Sequence, residues 1–173
     1  MHILLIIAVI VGIIVAVIAL RPSQFSITRA LVMRTPTSDI FPHVNDLHLW
    51  NAWSPWAKLD PHAHSVFEGP PSGMGAIMRW AGSKKVGKGS MEITKSVLND
   101  HIIFRLDFLE PFKSTNKAEF RFTPQGDGTI VTWSMNGKNG FMGKAIGLVM
   151  NCDKMVGAQF EQGLTDLKTI VEA

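Results

Sequence analysis

The 173-residue chain has one cysteine, Cys152, and no tyrosine. A lone cysteine excludes an intramolecular disulfide framework and a thiolate metal site. No local histidine pattern marks it as a nucleophile, so it reads as a buried, inert thiol. A strong charge balance is missing too: 17 Lys and Arg stand against 14 Asp and Glu. With neither a basic helix nor an arginine stripe, the composition argues against a nucleic-acid partner. Internal repeats are absent. No Ser-His-Asp arrangement emerges, and Glu68, Asp107, Glu110 and Glu119 fall near turns or on solvent faces of strands rather than as a catalytic pair. Two histidines spaced as in His62-Ala63-His64 share a strand face, but no third ligand stands at motif spacing, so no metal is expected. Gly82-Ser83-Lys84-Lys85-Val86-Gly87-Lys88-Gly89 approaches a phosphate-binding loop. Gly89, however, stands where such a loop needs a hydroxyl, and a strand follows rather than a helix. No cofactor is expected.

One stretch lacks charge altogether. Ile3 to Leu20 is eighteen consecutive apolar or glycine residues, closed by Arg21-Pro22. As a helix it would be ~27 Å long, close to the hydrocarbon thickness of a bilayer. The segment before it has no basic n-region, and Val17-Ile18-Ala19 is a poor cleavage site, so an uncleaved anchor is favoured over a signal peptide. A core helix is disfavoured because there is no polar face to meet solvent. The expected organisation is a transmembrane anchor at 1–20, a linker at 21–24 and one soluble domain at 25–173. Arg21, Arg29 and Arg34 after the anchor favour the domain on the cytoplasmic side. Lys84, Lys85 and Lys88 form a basic cluster whose default role is a solvated turn, with anionic headgroups as a second role.

Beyond the linker the periodicity is that of strands. Phe25, Ile27, Leu31 and Met33 alternate with small or polar residues up to Thr35-Pro36. Helix caps at Thr37-Ser38-Asp39 open one or two short helices to about Trp53. The spacing then predicts six strands. His64–Glu68 comes first, then Met74, Ala76, Met78 and Trp80, then Met91, Ile93 and Val97. Ile102, Phe104, Leu106 and Phe108 mark the fourth, and Ala118, Phe120 and Phe122 the fifth. Val131, Trp133 and Met135 follow the Gln125-Gly126-Asp127-Gly128 turn. Arg105, Asp107, Lys117 and Glu119 on the other face read as cross-strand charge partners. Apolar residues from Ile146 to Val171 then recur at three- and four-residue spacing, a long helix that Asn151, Asp153 or Gly157 would bend. This is an α+β pattern: a one-sided antiparallel sheet with a helix across it.

The order, and particular residues, resemble the helix-grip superfamily of START-related, polyketide-cyclase-like (SRPBCC) proteins. The matching pieces are Arg34-Thr35-Pro36-Thr37, Ile40-Phe41, the tryptophan-rich Trp50-Asn51-Ala52-Trp53-Ser54-Pro55-Trp56, and the glycine-marked turns at Gly69, Gly73-Met74-Gly75 and Lys85-Val86-Gly87-Lys88-Gly89. Thr132-Trp133-Ser134-Met135 and the final helix complete them. The resemblance implies a curved sheet of about seven strands wrapped on the last helix, with a hydrophobic cavity between. Met78, Trp80, Met91, Phe104, Leu106, Phe108, Phe120, Phe122 and Trp133 point to that face by alternation. Trp53 and Trp56, with Trp50, are candidates for an entrance or for the headgroup level. The expected function is a membrane-anchored binder of a lipid-like or other hydrophobic small molecule. Alternatives are a cyclase/dehydratase-like enzyme, or a protein-interaction or chaperone-cofactor domain with a filled core.

Overall fold

The computed structural model describes residues 2–173. Helix α1 (His2–Leu20) leads into strand β1 (Gln24–Met33), helix α2 (Thr37–Asn45), a 3-10 turn at Trp50–Ala52 and helix α3 (Pro55–Leu59). Strands β2 (His64–Glu68), β3 (Ile77–Ala81), β4 (Lys88–Val97), β5 (His101–Glu110), β6 (Ser114–Gln125) and β7 (Gly128–Lys138) follow, then helices α4 (Phe141–Val149) and α5 (Cys152–Val171). The strands form one antiparallel sheet in the order β1-β7-β6-β5-β4-β3-β2. Each neighbour from β2 to β7 follows the last in sequence, while β1 closes the far edge on β7. The inner face of the β1–β7 edge is covered by α5, and α2 and α3 complete the layer.

Several expectations change in register. Met74 is 69% exposed, because β3 starts only at Ile77 and the preceding Gly73 and Gly75 take positive φ. Val97 is 37% exposed because a bulge between Ile93 and Lys95 inserts a residue and turns the rest of β4 over. The four residues expected to pair across strands pair along them instead: Arg105 with Asp107, and Lys117 with Glu119. Across the ladder, Arg105 faces Lys117 instead. The single long helix is two. Met150 leaves the helical conformation, and the Asn151 side chain caps α5 by accepting from the Lys154 N–H at 3.0 Å. Cys152, at the start of α5, is half-buried rather than sealed.

Gly157 does not bend α5; it makes room. A side chain there would collide with the Arg29 guanidinium, which rises from the inner face of β1. Arg29 Nε donates to Glu161 at 2.6 Å, and its Nη2 donates to Asp153 at 3.2 Å. The two carboxylates flank Gly157 one turn on either side, so one cation fastens α5 to the sheet edge. Hydrogen bonds to Asp153 and then Glu161 raise the Arg29 pKa, so the clamp stays charged at any physiological pH. At the other end of the helix, Lys168 donates to the Val32 carbonyl and Thr35 to that of Val171.

Beneath the helices Thr129 is fully buried; its hydroxyl donates to the Thr35 carbonyl at 2.9 Å and meets the Thr37 hydroxyl at 2.9 Å. Thr129→Val keeps the shape but strands both partners. The expected loss is about 1–3 kcal/mol, read from urea unfolding.

Candidate ligand-binding face

The ladder arranges the inner face in rows. Starting from the end where α1 joins the sheet, an outer row holds Trp80, Gly89, Phe108 and Ser114. A second row holds Met78, Met91, Leu106, Asn116, Gly137 and Phe25, and a third Ile93, Phe104, Ala118, Met135 and Ile27. The fourth is Ile102, Phe120, Trp133 and Arg29.

The third and fourth rows are packed solid. Trp133 stacks on Phe160 of α5 with centroids 4.1 Å apart and planes 5° apart, and Phe120 lies 4.7 Å from Trp133. Trp50 and Trp53 drop into the centre, edge-on to Phe120 and Trp133. The Trp53 indole N–H donates to the His43 carbonyl at 3.0 Å. Gly163 lets α5 approach: a Cβ there would sit 2.9 Å from the Trp133 ring and 3.1 Å from Pro55.

The two rows nearer α1 are built differently. Phe25, Trp80, Leu106 and Phe108 remain partly exposed, while the contacts of α5 run from Arg29 and Trp133 in the fourth row toward Val32 and Thr35, away from this end. Glycines let aromatic rings lie flat: the Trp80 ring lies against Gly89, and Phe25 against Gly137. Trp80 meets Phe108 edge-on at 5.7 Å, and its indole N–H donates to the Val86 carbonyl. Within this apolar strip Asn116 is 8% exposed, and its side-chain oxygen has no donor. The buried Trp133 indole nitrogen, two rows further in, is likewise unpartnered. Buried polar atoms are normally satisfied, so the Asn116 oxygen, beside the partly exposed Phe25 and Leu106, is an acceptor another molecule could use, whereas the Trp133 nitrogen is closed off within the packed rows.

The sequence candidates therefore separate. Trp53, Phe104, Phe120, Phe122 and Trp133 are sealed among protein side chains, and Met78 and Met91 are buried beside the strip. Trp56, Trp80, Leu106 and Phe108 keep accessible surface. Trp50 is 5% exposed, so it is a core residue and not an interfacial one. Phe25 and Asn116 were not singled out. Asn116 carried a readable signal, since it occupies an inward position in the alternation with Ala118, Phe120 and Phe122.

Two clefts lie outside the strip formed by Phe25, Trp80, Leu106 and Phe108. One of about 210 Å³ lies at the β2 edge of the inner face, beside Pro70 and Phe67, the ladder partner of Met78, and another of about 410 Å³ opens at the α4–α5 break. Carboxylates with displaced pKa values are also elsewhere. The Ser83 N–H holds Asp60 low, Arg79 holds Glu68 low, and the Thr115 hydroxyl, then Arg105, holds Asp107 low. Their ion pairs and hydrogen bonds stabilise the fold fully above the ordinary carboxylate range of about 4 and are lost as pH falls through the lower folded values. Thermal melts are expected to be level from pH 7 to 5 and to drop progressively below about 4. Among the described residues no cluster of three His, Cys, Asp or Glu side chains is poised for a metal. The glycine-rich segment from Gly82 to Gly87 is a hairpin turn closed by the Gly87 N–H on Ser83, with Lys84 and Lys85 exposed. Lys88 pairs with Glu110 at 3.0 Å.

A seven-stranded antiparallel sheet closed on a C-terminal helix, with two short helices after its first strand, defines a helix-grip protein. The family model described as "polyketide cyclase / dehydrase and lipid transport" matches residues 24–172, and the chain belongs to that family. No curated protein matches the chain. Among solved structures it is similar to protein CV1439 of Chromobacterium violaceum, with TM-score 0.63, 13% identity, and 86% of this chain and 97% of that one covered. CalU16 of Micromonospora echinospora gives TM-score 0.56 at 15% identity, covering 87% and 86%. The Aha1 dimer protein of Colwellia psychrerythraea gives 0.61 at 12%, covering 86% and 96%. At these identities the likeness concerns the fold.

Proposed function

We propose that this protein is a membrane-anchored binder of a lipid-like hydrophobic small molecule, held on the strip formed by Phe25, Trp80, Leu106 and Phe108. The observation that carries the reading is the contrast within one face: aromatic rows pack solid beneath α5, while the rows at the α1 end stay partly open around a buried, unpartnered Asn116 oxygen. A ligand with an apolar body and one hydroxyl suits that surface, since the hydroxyl would donate to Asn116. The flexible Met78 and Met91, in the same row as Leu106, adapt to hydrocarbon, while Trp56 packs against Trp133 and Phe160. The family to which the chain belongs includes lipid transport in its description, which supports the reading.

Residues 1–20 act as the anchor in this proposal: α1 is long and apolar enough to cross a bilayer, and nearly all of it lies open. Residues 21–24 are the linker and 25–173 the binding domain. The arginines after the anchor favour the cytoplasmic side for that domain. Lys84 and Lys85 are free for anionic headgroups, with Lys88 shared with Glu110. An enzymatic cyclase/dehydratase reading calls for a titratable group at the open strip. Arg29, the charged member of the inner rows set out above, is occupied by Asp153 and Glu161.

Native mass spectrometry of the full chain, extracted in mild detergent and then offered a lipid panel, tests the proposal. The expected result is a bound apolar species, with occupancy lost in Leu106→Arg. A wild-type protein that takes up nothing from the panel would defeat it. It would also favour the reading that the packed aromatic centre suggests, a protein-interaction domain with a filled core.

A further inference from the structure

α4 is a helix without a sheet beneath it. It packs against the last turns of α1, where Lys144 donates to the Ala19 carbonyl at 3.1 Å and Arg21 donates to the Gly147 carbonyl at 2.6 Å. Just before it, the Asn139 N–H donates to the Ser23 carbonyl at 2.7 Å. The helix is therefore fastened to the point where the apolar run of α1 ends. Its own apolar side chains face outward: Phe141 is 52% exposed, Met142 55% and Leu148 41%, with Met150 beyond. Large apolar side chains gain from leaving water, so a helix that exposes three of them has a face without a partner.

We propose that α4 is an interfacial helix that lies in the headgroup region of the same membrane that α1 crosses. The inference rests on the anchored reading of α1 and adds a second contact to it. The occupant follows from continuity and charge. With Ala19 at the end of the span, the hydrogen-bonded partner helix is set at interface depth. There Phe141, Met142 and Leu148 meet acyl chains, while Arg21, Lys138 and Lys144 meet phosphate. The sheet end beside it carries a matching element. The β5–β6 turn presents Phe112, 52% exposed, next to Lys113, and register places this turn at the α1 end. The opposite end of the sheet, with the Leu98 turn between β4 and β5, faces away.

The test uses the full chain with Cys152→Ser, reconstituted in nanodiscs of phosphatidylcholine and phosphatidylglycerol. An environment-sensitive fluorophore is attached in turn at Phe141→Cys, Leu148→Cys, Ile10→Cys and Leu98→Cys. Expected are a blue shift and quenching by shallow doxyl lipids at both α4 positions, quenching by deep doxyl lipids at position 10, and a water-like spectrum at position 98. Deep quenching at position 10 with water-like spectra at both α4 positions overturns the α4 inference while leaving the anchor intact. A blue shift at α4 without lipid quenching also overturns it, assigning the face to a second copy of the chain. No lipid quenching at position 10 or at α4 overturns both readings together.

Discussion

Trp133→Ala is expected to cost about 3–5 kcal/mol, lowering the melting temperature of the full chain in detergent by about 10 °C or more. Trp133 is the residue through which every layer meets: it stacks on Phe160 of α5, faces Trp50 and Trp53 from the helical segment and Trp56 from α3, and neighbours Phe120 across the ladder. Truncation would leave a void facing α5, where Gly163 has no side chain to fill it. Trp133→Phe is expected to cost far less, because the ring stack survives and the lost indole N–H has no partner. Equal losses for the two substitutions would show that the aromatic centre does not organise the fold as described.

The second large effect is a change of sign at Gly157. Alanine in a helix interior is favoured over glycine by roughly 1 kcal/mol. Here the added methyl would occupy the place of the Arg29 guanidinium and break its bonds to Asp153 and Glu161. Gly157→Ala is therefore expected to destabilise the wild type. In an Arg29→Ala background, with the cation gone, the same substitution is expected to stabilise by roughly 1 kcal/mol. A double-mutant cycle by urea unfolding reads both values. If Gly157→Ala stabilises both backgrounds alike, Arg29 does not occupy the helix surface in solution.

Most of the architecture was legible because the sheet is covered on one face only. Alternation such as Ala118-Phe120-Phe122 against Lys117-Glu119-Arg121 leaves little freedom in which side turns inward. Where the reading slipped, local backbone chemistry overrode the pattern. Gly73 and Gly75 delay β3, the bulge in β4 reverses Val97, and an Asn151 cap divides the last helix. The charged residues were harder. Arg29 reads as one more flanking cation, and only the opposing glycine on α5 reveals that it turns inward. The openness of the strip was not legible either. Alternation reports which face a residue takes but not whether a distant helix reaches far enough to cover it. Asn116 was the exception, a polar residue at an inward position.

The hydrogen bond from Asn139 to Ser23 has a mechanical consequence. It ties the three-residue link after α1 to the residue that follows β7, one strand in from the β1 edge, so the joint is short and braced rather than a loose tether. If α1 crosses a bilayer as proposed, such a joint holds the domain in a fixed attitude close to the membrane surface. Under the proposed anchored reading, the strip sits at the membrane end and would meet its ligand by lateral encounter, while Gly69, Pro70 and the last turn of α5 lie at the far end of the sheet.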